Sequence, residues 1–208
     1  IGLLSLVFAA VIDQKAMLLS YFQNPLIAFL NLAPVVLLGL LLYFLLGRAG
    51  AAYLITAGIA LGLTIASWFK LQFRNDPLMF EDLLLIKEAG NMTGRYQLFL
   101  TKTMVLALVL LAAGWLALHF CARGRLSLRP RFLGLSLTVL LCLPVWDMTQ
   151  DSYTYDALTA NNGLINQWSA TQVYVSKGFV YPFLHSVSSA QDDPPPGYDE
   201  DEAAALLS

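Results

Sequence analysis

The chain has 208 residues, 58% of them hydrophobic and 12% charged, with a net charge of -2 and a mean hydropathy of +0.64. A soluble domain carries about 25% charged residues, so composition excludes a water-soluble fold and points to a membrane protein. No basic stretch interleaved with aromatics occurs, which argues against nucleic acid as a partner.

The first apolar run, Ile1 to Ile12, is too short to span a bilayer and reads as the tail of a helix that began earlier. Four longer runs follow: Leu26–Leu46, Ala51–Phe69, Met104–Cys121 and Phe132–Trp146. The last is short for a span, and Leu126, Leu128 or snorkelling arginines can lengthen it. Asn31 and Pro34 interrupt the first of these four, and Pro144 the last. The expected fold is therefore all-α: a polytopic membrane helical bundle of about five transmembrane helices, the first truncated. Short interfacial helices and an extracytoplasmic linker complete it.

Gly47-Arg48-Ala49-Gly50 predicts a tight turn between antiparallel helices. Gly58 and Gly62, in small-xxx-small spacing, predict a close helix contact. The short segment carrying Arg123, Arg125, Arg129 and Arg131 has no acid and predicts a cytoplasmic loop. Residues 70–103 and everything after Trp146 then lie outside.

The block from Phe69 to Leu83 concentrates charge beside the bilayer, where charge is paired, snorkelled or used. Asp76-Pro77 is a helix-start signal and Gly90 a stop, which predicts a helix over 77–89 lying in the interface. Two readings of the charges stay open. Lys70 and Arg74 suit contact with lipid phosphates, with Asp76, Glu81 and Asp82 holding them or meeting head-group hydroxyls. The same residues also suit snorkelling, helix capping and dipole matching alone.

Residues 147–190 mix polar residues with aromatics, and Leu164, Trp168, Val175, Phe179 and Phe183 recur at roughly helical spacing. That pattern predicts juxtamembrane helices interrupted at Pro182. Residues 191–208 are acidic and proline-rich, a stiff linker toward a further domain. The domain division is thus 1–146, 147–190 and 191–208. Cys121 and Cys142 fall on opposite faces, which argues against a disulfide. His119 and His185 are likewise separated, Asn91-Met92-Thr93 is a weak sequon match, and no HExxH, GxSxG, P-loop or CxxC motif occurs.

Several features together carry a resemblance: Phe69-Lys70-Leu71-Gln72-Phe73-Arg74-Asn75-Asp76-Pro77-Leu78, Glu81-Asp82, the Asn24-Pro25 helix entry, and Gly178-Phe179 followed by Pro196-Gly197-Tyr198. The chain resembles the membrane-embedded N-terminal part of the lipoteichoic acid synthase family of bacterial phosphoglycerol transferases. The resemblance implies a multi-pass protein of the bacterial plasma membrane. It implies an extracytoplasmic, alkaline-phosphatase-type catalytic domain beyond this chain, with a threonine nucleophile and a divalent metal, commonly manganese. It also implies phosphatidylglycerol as the lipid partner. No catalytic or metal residue carries over to these 208 positions, and no cofactor is expected in this chain. Related sulfatase-like or phosphoethanolamine-type transferases share the layout. A transporter or channel, with broken helices at Asn31, Pro34 and Pro144, and a pure anchor are the competing functions.

Overall fold

A computed structural model describes residues 24–84, 100–122, 124–161 and 170–189. The described residues form helices joined by short connections: α1 (Pro25–Leu46), α2 (Ala49–Arg74), α3 (Phe80–Leu84), α4 (Lys102–Cys121), α5 (Leu128–Gln150), α6 (Ser152–Asn161), α7 (Ala170–Lys177) and α8 (Val180–Ser189). Four of them, α1, α2, α4 and α5, are long and apolar enough to cross a membrane. The expected all-α membrane bundle is observed. The truncated first run, the predicted stop at Gly90, the sequon and the linker at 191–208 lie outside the described residues.

Local chemistry explains the ends of the spans. Asn24 caps α1, its side chain accepting from the Leu26 N–H at 3.0 Å, with Pro25 in the first turn. Gly47 closes α1 in the left-handed region at φ 66°, where a side chain is disfavoured. Thr101 caps α4 by accepting from the Met104 N–H at 3.2 Å. α5 is 23 residues long, extending the predicted fifteen-residue run at both ends. At its start, Arg131 donates through Nε to the Phe44 carbonyl at 2.9 Å and through Nη2 to the Leu45 carbonyl. Those are carbonyls that the end of α1 leaves without helical donors. One arginine of the basic segment therefore fastens two spans together.

The spans pack as an open row in the order α5, α1, α2, α4, each touching its neighbours. Consequently α4 and α5 present bare hydrocarbon outward: Leu133 is 74% exposed and Leu140 66%. A patch of that extent is a liability in water and ordinary solvent contact in a bilayer.

Two expectations need correction, and a third is not met among the described residues, where a Cβ added at Gly58 or Gly62 meets nothing within 4 Å. Close approach occurs at Gly134, where a Cβ would run into the Phe44 ring, and at Gly114, where it would strike the Tyr53 hydroxyl. The described part of the interfacial helix starts at Phe80, not Pro77, because the chain stays non-helical from Asp76 to Met79. Pro182 does not interrupt the tail: it sits in the first turn of α8, where a missing N–H does no harm.

The most tightly buried cluster lies at one end of the row. Ile27, Leu30, Leu78, Leu158, Tyr174, Phe179, Tyr181 and Phe183 join α1, the segment before α3, and α6 to α8 into one core. α8 packs against α1, α3 and α5. This end is a built platform; the other end carries the Gly47 turn and the arginine segment.

Candidate functional site

The platform is stitched by polar side chains that reach out of apolar helices. Lys70, one turn before the end of α2, is the first. Its ammonium donates to Asp76 Oδ2 at 2.9 Å, the Pro77 carbonyl at 2.9 Å and Asp82 Oδ2 at 2.7 Å. An ammonium has three N–H donors, and all three are used. The side chain is only 13% exposed. Asp82 has a second task. Its Oδ2 accepts from the Met79 N–H at 2.7 Å, the reach-back half of a capping box at the start of α3. Asp76 is thus drawn to Lys70, and the capping expected of it is done by Asp82.

The 75–80 backbone is satisfied from several directions. Asn75 ends α2 at φ 54° with its N–H on the Leu71 carbonyl. Ser67 Oγ accepts from the Leu78 N–H at 3.3 Å, and Ser186 Oγ of α8 accepts from the Phe80 N–H at 2.9 Å. Irregular backbone at this depth survives only when its polar groups find such partners. Of the five residues singled out in the sequence, Lys70, Asp76 and Asp82 converge. Arg74 and Glu81 are exposed and make no ion pair among the described residues.

Asn31 is the second stitch. It is fully buried within α1. Its Nδ2 donates to the Ile27 carbonyl at 2.9 Å and the Lys177 carbonyl at 2.7 Å. Its Oδ1 accepts from the Val180 N–H at 3.0 Å and the Tyr181 N–H at 3.1 Å. Two donors and two lone pairs exhaust a carboxamide. One side chain therefore closes the C-terminus of α7 and the N-terminus of α8 across the Gly178 turn, where φ is 86°. Pro182 needs no acceptor and the Phe183 N–H uses the Phe179 carbonyl at 3.1 Å, so the first turn of α8 is fully satisfied.

The third group surrounds Tyr155. Lys177 is buried, its ammonium donating to the Tyr155 carbonyl and lying 3.2 Å from the centroid of the Tyr155 ring. The same ring stacks on the His185 imidazole at 3.9 Å, and His185 Nδ1 faces the Thr149 carbonyl at 3.0 Å. No carboxylate lies within ion-pair distance of Lys177 among the described residues. Burial pushes the Lys177 ammonium down to about 8, against an opposing pull from Asp156. Burial, helped by Asp156, pushes the Tyr155 phenol up to about 12, and burial first, then Tyr155, Asp151 and Asp156, raises Tyr181. The Thr154 hydroxyl lowers Asp151, which caps α6.

A pH dependence follows. From about pH 8 to the ordinary lysine value near 10.5, the unfolded chain holds a proton on Lys177 that the native chain has released. Stability therefore rises with pH in that window, until ionisation of the tyrosines in the unfolded chain opposes it near pH 10. The expected gain between pH 7.5 and 9.5 is on the order of 2 kcal/mol. Thermal unfolding followed by near-UV circular dichroism measures it, and Lys177→Met should flatten the profile.

Asn31, Ser67, Lys177 and Ser186 are the residues that sequence reasoning missed as structural keys. Asn31 was visible as an amide inside a span. The others carry no local signal. Among the described residues no three His, Cys, Asp or Glu side chains come together. Comparison with protein-family models, curated proteins and solved structures finds no match to this chain.

Proposed function

We propose that the chain is the membrane-embedded part of a phosphoglycerol transferase of the lipoteichoic acid synthase type, anchoring an extracytoplasmic catalytic domain and setting its position at the outer leaflet. The arginine end faces the cytoplasm in this reading, and the platform faces outward. The observation that supports it best is the Asn31 junction. An anchor needs only spans. Here the helices that follow α5 are bonded back into α1, so the platform from which a further domain would be carried is itself fixed to the spans. The continuous helices α1 and α5, unbroken at Pro34 and Pro144, weigh against the transporter alternative.

The lipid role narrows to Arg74. Lys70 is consumed within the fold, while Arg74 stands exposed at the platform edge with its guanidinium suited to phosphate. The test is glycerol-phosphate transfer from phosphatidylglycerol by the full-length protein in proteoliposomes. Arg74→Ala is expected to cut the rate about tenfold, in line with the loss of one charge-assisted phosphate contact, with the fold unchanged. Full activity in Arg74→Ala rejects the lipid role. Absence of any transfer by the wild type, or solute flux through the chain alone, rejects the transferase reading.

A further inference from the structure

The open row of spans leaves a slot. α1 forms its floor, α2 and α5 its walls, and α8 its roof on the platform side. Its volume is about 570 Å³. Its lining is almost wholly hydrocarbon, and the three threonines in it have turned inward on their own helices. Thr56 donates to the Ala52 carbonyl at 2.8 Å, Thr64 to the Ala60 carbonyl at 2.7 Å and Thr149 to the Trp146 carbonyl at 2.7 Å. No hydroxyl there is left seeking water or a polar ligand.

We propose that this slot is a binding site for one acyl chain of a membrane lipid. The occupant follows from continuity with the bilayer-facing surface. Leu38, Ile59, Leu143 and Trp146 line the slot and are 37%, 46%, 67% and 46% exposed, so its mouth opens sideways into the hydrocarbon that bathes α5. At the roughly 30 Å³ that a water-sized group occupies in a liquid, the slot takes about 19 groups of methylene size, one chain of common length. Between Thr56 and Thr64 it runs about 12 Å along α2, at 1.5 Å per residue, less than the extended length of such a chain, which therefore lies bent in the slot. The roof, with Phe183 packed across it, stops the chain at the platform and holds it alongside α8. A non-helical peptide is a poor alternative, because the slot has no free partner for its backbone groups. The inference rests on the bilayer alone and goes beyond the transferase reading.

Native mass spectrometry of the purified chain in detergent tests it. The probes are palmitoyl-oleoyl phosphatidylglycerol, palmitoyl-oleoyl phosphatidylcholine and dihexanoyl phosphatidylcholine. The two long-chain lipids should each be retained at one per chain, equally within about threefold, since the slot offers their head groups nothing. The six-carbon lipid should bind at least about tenfold more weakly, having fewer methylenes to bury. Ala60→Phe from the α2 wall and Cys142→Phe from the α5 wall each fill the slot and should reduce retention at least about tenfold, with helicity unchanged by far-UV circular dichroism. If one variant does not fold, the opposite wall still gives the result. As a second readout, long-chain lipid should slow maleimide labelling of Cys142 in the Cys121→Ser chain. Equal retention by wild type and filled variants overturns the proposal. So does retention that follows the head group rather than chain length, or a dimer that dissociates when the slot is filled. Because lipid mass on the chain is read without any catalytic step, failure here leaves the transferase reading standing, and the reverse also holds.

Discussion

Replacing Asn31 by leucine is expected to release α7 and α8 from the bundle at a cost of about 4 kcal/mol. The substitution keeps the volume and makes α1 more apolar, so membrane insertion is unimpaired. What it removes is the partner of three groups: the Lys177 carbonyl and the Val180 and Tyr181 N–H groups. The Ile27 carbonyl is unaffected, because the helix itself still serves it. Each buried orphan costs about 1–3 kcal/mol, and the total is capped by the point at which undocking lets water in. Asn31→Asp should fall between the two. A carboxylate still accepts from the α8 N–H groups and suits that helix end. It cannot donate to the Lys177 carbonyl. Hydrogen exchange over the described part of α8, with far-UV circular dichroism to show the spans intact, reads both variants.

The second large effect is expected at Lys70. Lys70→Met should destabilise the segment from Asp76 to Leu84 by about 2 kcal/mol. A fully buried charge left unpaired costs about 3–5 kcal/mol, and the partial exposure of Asp76, at 43%, and Asp82, at 23%, lowers that figure. Lys70→Arg should not restore it. Three acceptors from Asp76, Pro77 and Asp82 surround one nitrogen, a geometry that suits an ammonium and not a planar fork. Limited proteolysis of the 76–84 segment separates the wild type from both variants: slow cleavage for wild type, and faster, similar rates for Met and Arg.

The spans were legible because hydrophobic length alone defines them, and the α1 boundaries were legible because Asn24-Pro25 and Gly47 act locally. The platform was not, because its partners are remote. Asn31 meets residues 146 to 150 positions away, and no local pattern encodes such a pairing. The Asp76-Pro77 signal pointed to a helix start, yet Asp76 had a stronger partner in Lys70, and the start moved to the next position where an acid stood three residues beyond a cap. Pro182 read as a breaker because the turn before it was invisible; once Asn31 serves the adjacent N–H groups, proline costs nothing there. Among the described residues nothing comes close to Gly58 or Gly62, since small residues permit close approach without producing it. Gly114 and Gly134 do it instead, where Tyr53 and Phe44 happen to face them. At the candidate site the charged block was rightly singled out. Its division into a consumed lysine and an exposed arginine required coordinates.

The claim that the platform is joined rigidly to the spans is tested most directly by amide exchange at Val180 and Tyr181, with the chain in lipid nanodiscs. If Asn31 Oδ1 holds both groups, they exchange about a thousandfold more slowly than an open helix end, the equivalent of about 4 kcal/mol. Asn31→Leu then abolishes that protection while the amides of residues 35–45 in α1 keep theirs. Rapid exchange at Val180 and Tyr181 in the wild-type chain would contradict the account.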